Sequence, residues 1–288
     1  MYMMIKNILR KLQDKDTQRA DDKARIARLL MALAKTESGA PLFDFVSDTK
    51  LRIAYDDKMA ACEASFKPYP RKIVLSPYST EEFQALSLAH ELCHAVQEHK
   101  GLLLRKTDHL YDHLINVRFS EAAAFSFEAQ MAWELQQAHP QSSYLKTALK
   151  GCRSVNKAFQ HAATMSPQSV ENGSARRIAF DAWFNDGLRK QYDYNALMAV
   201  RAHWQRRENG QRNALSFNKK RTPEQAPYMS EEFLREFGAM AADKNFLEKR
   251  NLMTDFYMGH LTNGAERLIN RTTMKYAGSD ESMIYDFL

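Results

Sequence analysis

The 288-residue sequence predicts an α+β fold: a core over residues 41–138 with a small mixed sheet and one long helix, followed by a mostly α-helical half over 139–288. Three observations carry this. Short β-branched or aromatic runs bounded by Asp and Pro gather between residues 43 and 76. A helix start signal stands at residues 79–82, ahead of an apolar-periodic run. From residue 102 onward, nearly every segment has helical composition and few breakers.

Residues 4–36 are rich in alanine, leucine, lysine and arginine and carry no Gly or Pro, so a helix is expected within an N-terminal segment over 1–40. Its apolar face, with Ile26, Leu29, Leu30 and Leu33, is suited to packing on the core. TESGAP at 36–41 ends it. LRIAYDD (51–57) and RKIVLSP (71–77) read as strands, and ACEASFKPYP between them has room for another strand and a turn. Ser79 with Glu82 three residues on has capping-box spacing, which starts a helix near Thr80 that stops near Gly101. Thr107 or Asp108 is a candidate cap for the next helix, through RFSEAAAFSFEAQMAWELQQAH to Pro140. Further helices are expected at 142–165, 174–191, 194–206, 229–241 and 244–270, with loops at 166–174 and 207–228.

No stretch approaches the roughly 20 apolar residues a membrane helix needs, and the start MYMMIKNILRKLQDKD is too broken by lysine for a signal peptide. A cytoplasmic protein with no membrane partner is therefore expected. Three cysteines with no C-x-x-C pair make neither a disulfide framework nor a thiolate-rich structural zinc site. The net charge of +6 concentrates most at 201–221, RAHWQRRENGQRNALSFNKKR. A solvated basic loop is the favoured reading of that stretch over a nucleic-acid contact.

Chemistry enters at residues 87–97, SLAHELCHAVQ. On a helix, His90 and His94 lie about 40° apart, so both rings reach one ion, with Glu91 about 60° from His94. Leu88, Ala89, Leu92, Ala95 and Val96 take the far side. The helix thus has an apolar back and a chemical front that offers two imidazoles and a carboxylate able to take a proton from water. The upstream strand RKIVLSP is placed to border a cleft and pair with an extended peptide. Cys93 reads as a buried structural thiol rather than a fourth ligand.

A third ligand must come from elsewhere, because Gln97 and Lys100 stand where H-E-x-x-H-x-x-G-x-x-H needs Gly and His. Glu121 is favoured. It lies 27 residues beyond His94, beside Ala122 to Ala124, whose small side chains let two helices approach closely. A charge at such a contact is costly unless paired or bound to metal. Glu128, two turns on and on nearly the same face, is the reserve ligand or a partner to an imidazole N–H. His109 and His113 are weaker alternatives.

HELCHAVQ followed by SEAAA resembles the gluzincin metallopeptidases, in which H-E-x-x-H on one helix is completed by Glu on the next. More narrowly, KIVLSP, HELCHAVQ and EAAA, in that order within residues 50–135, resemble an uncharacterised bacterial family of metallopeptidases. Two departures stand out: Cys93 where a larger polar residue is usual, and Ala123 where an acidic residue is common. The resemblance implies a zincin-like core binding one zinc ion through His90, His94 and Glu121, with Glu91 as general base in peptide-bond hydrolysis. An oxyanion donor is also needed. Tyr111, His113, His161, Tyr192 and His203 are the candidates, and the sequence does not choose among them.

The sequence therefore predicts a zinc-dependent peptidase acting on peptides or proteins, its cleft completed by the helical half. Two other readings compete. One is a zinc protease acting near nucleic acid, motivated by the +6 charge. The other is a non-catalytic zincin-like binding module, for which Glu91→Gln would leave function intact.

Overall fold

The computed structural model describes residues 20–59, 64–102, 110–193 and 195–196, with side chains of the helix that begins at 110 described from residue 116. Among these, residues 20–102 pack with 123–183 as one compact unit, and 110–122 belong with 184–196 to a second. The fold is α+β.

Helix α1 (Ala20–Ala34) buries Ile26, Leu29, Leu30 and Leu33, each at most 1% exposed. Their 3, 4, 7 spacing forms the apolar stripe expected of a helix on a core. The rest of the 4–36 helical pattern, residues 4–19, lies outside the described residues. Helix α2 (Ala40–Asp48) follows after a turn at Gly39. A Cβ at Gly39 would collide with the Leu33 carbonyl, so the tight return demands glycine. Helix α2 was not expected from its sequence, APLFDFVSD, whose aromatic and β-branched content resembles the strands beyond it. Pro41 in its first turn pre-sets the helical φ, and Leu42, Phe43 and Val46 carry it into the core.

The sheet holds β1 (Arg52–Tyr55), β2 (Ala64–Pro68) and β3 (Arg71–Leu75) in the order β1-β3-β2. Strand β3 runs parallel to β1 and antiparallel to β2. Ile73, Val74 and Leu75 are all buried, as a strand covered on both sides requires. This corrects one expectation. RKIVLSP is the central strand, its backbone paired on both sides, so it has no edge to offer a peptide; among the described residues the edges belong to β1 and β2.

Helix α3 (Glu81–His99) begins at Thr80, whose Oγ1 accepts from the Phe83 N–H at 3.3 Å. The cap is thus Thr80, one residue beyond the Ser79 of the expected capping box, because it is Thr80 that stands three residues before a donating amide. At the other end, Gly101 (φ +74°) donates to the Glu98 carbonyl and Leu102 to the Gln97 carbonyl. This is the Schellman stop that a glycine permits. Leu88, Ala89, Leu92 and Ala95 are wholly buried against α1, α2 and β3 residues in one cluster. A polar network anchors the helix start. Gln84 donates to the Ser76 and Ser79 carbonyls and accepts from the Tyr55 hydroxyl and Arg25, whose guanidinium also lies 4.5 Å from the Tyr55 ring centre.

Helix α4 (Leu110–Ala138) is one continuous 29-residue helix that ends just before Pro140. Its expected caps, Thr107 and Asp108, lie outside the described residues. The helix expected over 142–165 is broken into α5 (Tyr144–Ala148) and α6 (Arg153–Met165). Buried Asn156 donates its Nδ2 to the Ala148 and Cys152 carbonyls, holding the break at Gly151. The expected 166–174 loop contains a single helical turn, α7 (Gln168–Glu171), before α8 (Ser174–Trp183). The 174–191 helix is likewise interrupted at 184–187 before residues 188–193 turn helical again. The later helices and the basic 201–221 stretch lie outside the described residues. Among the described residues, no helix is long and apolar enough to cross a membrane.

In the second unit, Arg118 of α4 and Asp193 form a two-pronged ion pair at 2.7 and 2.8 Å, with both side chains fully buried. Phe119 and Phe184 meet edge to face in the same unit. Removing one member of a buried ion pair is strongly destabilising, because the other charge loses its counter-ion in a setting with no water. Asp193→Ala is therefore expected to lower stability by about 3–5 kcal/mol, whereas the double change Arg118→Met with Asp193→Leu restores most of the loss. Urea denaturation of the two variants beside the parent protein measures both.

Candidate metal centre

Three donors converge. One ligand atom each of His90, His94 and Glu121 lies within 4.8 Å of the others. The two histidines leave neighbouring turns of α3, and Glu121 stands on α4 in the stripe that also carries Phe125 and Glu128. On an α-helix those three positions fall within about 60° around the axis. Phe125 sets its ring 4.5 Å from that of His90, edge to face, and Glu128 reaches His90 itself. The helix that delivers these two contacts thus carries Glu121 one turn ahead of Phe125 and two turns ahead of Glu128.

The tautomers follow from the partners. His90 Nδ1 lies 3.1 Å from Glu128 Oε2, and His94 Nδ1 lies 2.9 Å from the amide oxygen of Gln97. A carboxylate and an amide oxygen only accept, so each neutral ring carries its proton on Nδ1. The Nε2 lone pairs are then turned on one another at 3.1 Å, where they repel unless a cation stands between them. Two nitrogens on a tetrahedral zinc ion, at 2.0–2.1 Å each, lie about 3.3 Å apart. With a carboxylate as third donor, this set fits zinc.

Glu91 leaves the helix on the other side of His94 and accepts the Phe66 backbone N–H of β2 at 2.6 Å. That amide points away from β3, since backbone groups of an antiparallel strand alternate between partner and open edge. Glu91 is partly buried, and His90 is 6% exposed.

Glu128, the reserve ligand of the sequence reading, is placed behind His90 Nδ1 rather than in the converging set. His109 and the side chain of His113 lie outside the described residues, as do the side chain of Tyr111 and all of His203. His161 is exposed on α6 and Tyr192 is partly buried; neither belongs to the donor set. Cys93 is partly buried against the core and receives Gln97 Nε2 at 3.6 Å. Nearby, α8 sets Arg176 with its guanidinium 5.0 Å from the Phe127 ring centre. Burial pulls this guanidinium below the ordinary arginine range, while Cys93 and Glu134 act in the other direction.

Three participants were missed in the sequence. Gln97 had the faint signal of an amide three residues after His94 on an otherwise apolar turn. Phe125 had none that separates it from a core aromatic. The Phe66 amide is backbone and leaves no mark in composition.

Residues 10–224 match the family described as "Putative metallopeptidase family (DUF6782)". The chain belongs to this family. No curated protein and no solved structure matches it.

If Glu128 orients His90, its loss weakens metal binding without removing a ligand. Glu128→Ala is expected to lower zinc affinity about 10–100-fold while the fold persists. Competition with a chromogenic chelator reads the affinity, and circular dichroism reads the fold.

Proposed function

We propose that this protein is a zinc-dependent peptidase of the gluzincin type, with His90, His94 and Glu121 as ligands and Glu91 as general base. The observation that carries the reading is the pair of Nε2 atoms 3.1 Å apart in one cluster with Glu121, with a second carboxylate one residue after His90. When bound, a zinc ion supplies Lewis acidity, which polarises a carbonyl and makes water nucleophilic near neutral pH. The remaining work belongs to the chain. Glu128 and Gln97 hold the two rings so that Nε2 faces inward. The Phe125 ring and the buried setting of His90 restrict water on that side. Glu91 takes the proton of the attacking water and delivers it to the departing amine nitrogen, so one carboxylate serves as base and then as acid.

An extended peptide is the substrate that suits the setting. Strand β2 presents its outer edge beside Glu91, and an edge strand recognises a peptide through main-chain hydrogen bonds whatever its side chains. The helices after residue 138 are proposed to complete the cleft over the zincin-like core.

Glu91→Gln separates this reading from a binding module. The amide keeps the shape and cannot take a proton. Cleavage of an internally quenched peptide library by the zinc-loaded variant is expected to fall at least about 100-fold, with zinc content unchanged. Unchanged cleavage, or an unaltered cellular role in the variant, removes the peptidase.

A further inference from the structure

The outer edge of β2 carries few donors. Residues 64, 66 and 68 face outward by the strand alternation that turns the Phe66 N–H toward Glu91. Pro68 has no N–H to give, and the Phe66 amide is held by Glu91 Oε2 at 2.6 Å. A peptide pairing along the middle of this edge needs that same amide for its own carbonyl. Pairing and the Glu91 contact therefore exclude one another.

We propose that the Phe66 N–H is a shared donor. In the resting protein it tethers Glu91, and when an extended peptide joins β2 it passes to a peptide carbonyl and releases the carboxylate toward the histidine pair. Freeing the base is thereby coupled to filling the cleft, and water alone does not encounter a poised centre. Phe66 acts here through Glu91 as a positioning residue. This inference rests on the peptidase reading above and adds to it the order of events at that site.

The test uses the full zinc-loaded chain and two substitutions. Phe66→Pro deletes the N–H yet spares the β2–β3 ladder, because that amide points away from β3. Phe66→Ala keeps the N–H and controls for the lost ring. Both are assayed on the best substrate drawn from a quenched peptide library. The shared donor predicts that KM of the Pro variant exceeds that of the Ala variant about fivefold, the worth of one hydrogen bond, with kcat equal or higher. A kcat about tenfold lower in the Pro variant with KM unmoved means that the amide must hold Glu91 throughout the reaction, and the proposal falls. Amide hydrogen exchange supplies a readout independent of activity. The Phe66 amide is expected to exchange slowly in the native chain and at least about tenfold faster in Glu91→Ala. Equal rates overturn the tether whatever the kinetics. If the native chain cleaves no library peptide, the peptidase reading itself fails and takes this proposal with it; cleavage by the native chain with a crippled Pro variant sinks the shared donor alone.

Discussion

Two imidazole nitrogens that each point a lone pair at the other, 3.1 Å apart, repel one another until a positive charge stands between them. The rest of the molecule around residues 81–128 is arranged to impose it. Gln97 and Glu128 remove the alternative in which one ring donates to the other, because both present only an acceptor to Nδ1. A neutral ring pair without these partners would settle into an ordinary hydrogen bond. The repulsion is affordable because α3 is pinned from behind: Leu88, Ala89, Leu92 and Ala95 are packed with no exposed surface, so the front face cannot rotate away.

Helix α4 brings the third donor by the same logic. Ala123 and Ala124 are buried beside Phe125 and Glu128, which both touch His90. A charged Glu128 that is largely buried would be expensive in isolation, and its bond to an imidazole N–H offsets that cost. The sheet contributes at one point. Because β3 is central, the sheet edges fall to β1 and β2, and the β2 edge meets Glu91 through the Phe66 amide.

What could be read from the sequence was what side-chain chemistry writes at fixed spacing. The helix over HELCHAVQ, its apolar back, its glycine stop and the pairing of His90 with His94 all follow from a 3.6-residue period. Glu121 was legible through the small residues beside it, and Glu128 through its place two turns on, although its role was open between ligand and orienting partner. What stayed hidden depends on partners far along the chain. Strand order decides whether RKIVLSP is an edge or a centre, and no local pattern carries it. Helix α2 uses aromatic and β-branched residues that a strand would use equally well, and burial of Leu42, Phe43 and Val46 in the core together with Pro41 in its first turn makes it a helix. The Arg118–Asp193 pair joins residues 75 positions apart, and the Phe66 amide is backbone.

The most direct measurement is long-range proton–nitrogen NMR of the histidine side chains, before and after one equivalent of zinc is added to chelator-treated protein. His90→Gln and His94→Gln assign the resonances. The account predicts that both rings are neutral with the proton on Nδ1 before zinc, and that both Nε2 resonances, with no change at Nδ1, shift on its addition. A ring protonated on Nε2, or Nε2 resonances that ignore zinc, would contradict it.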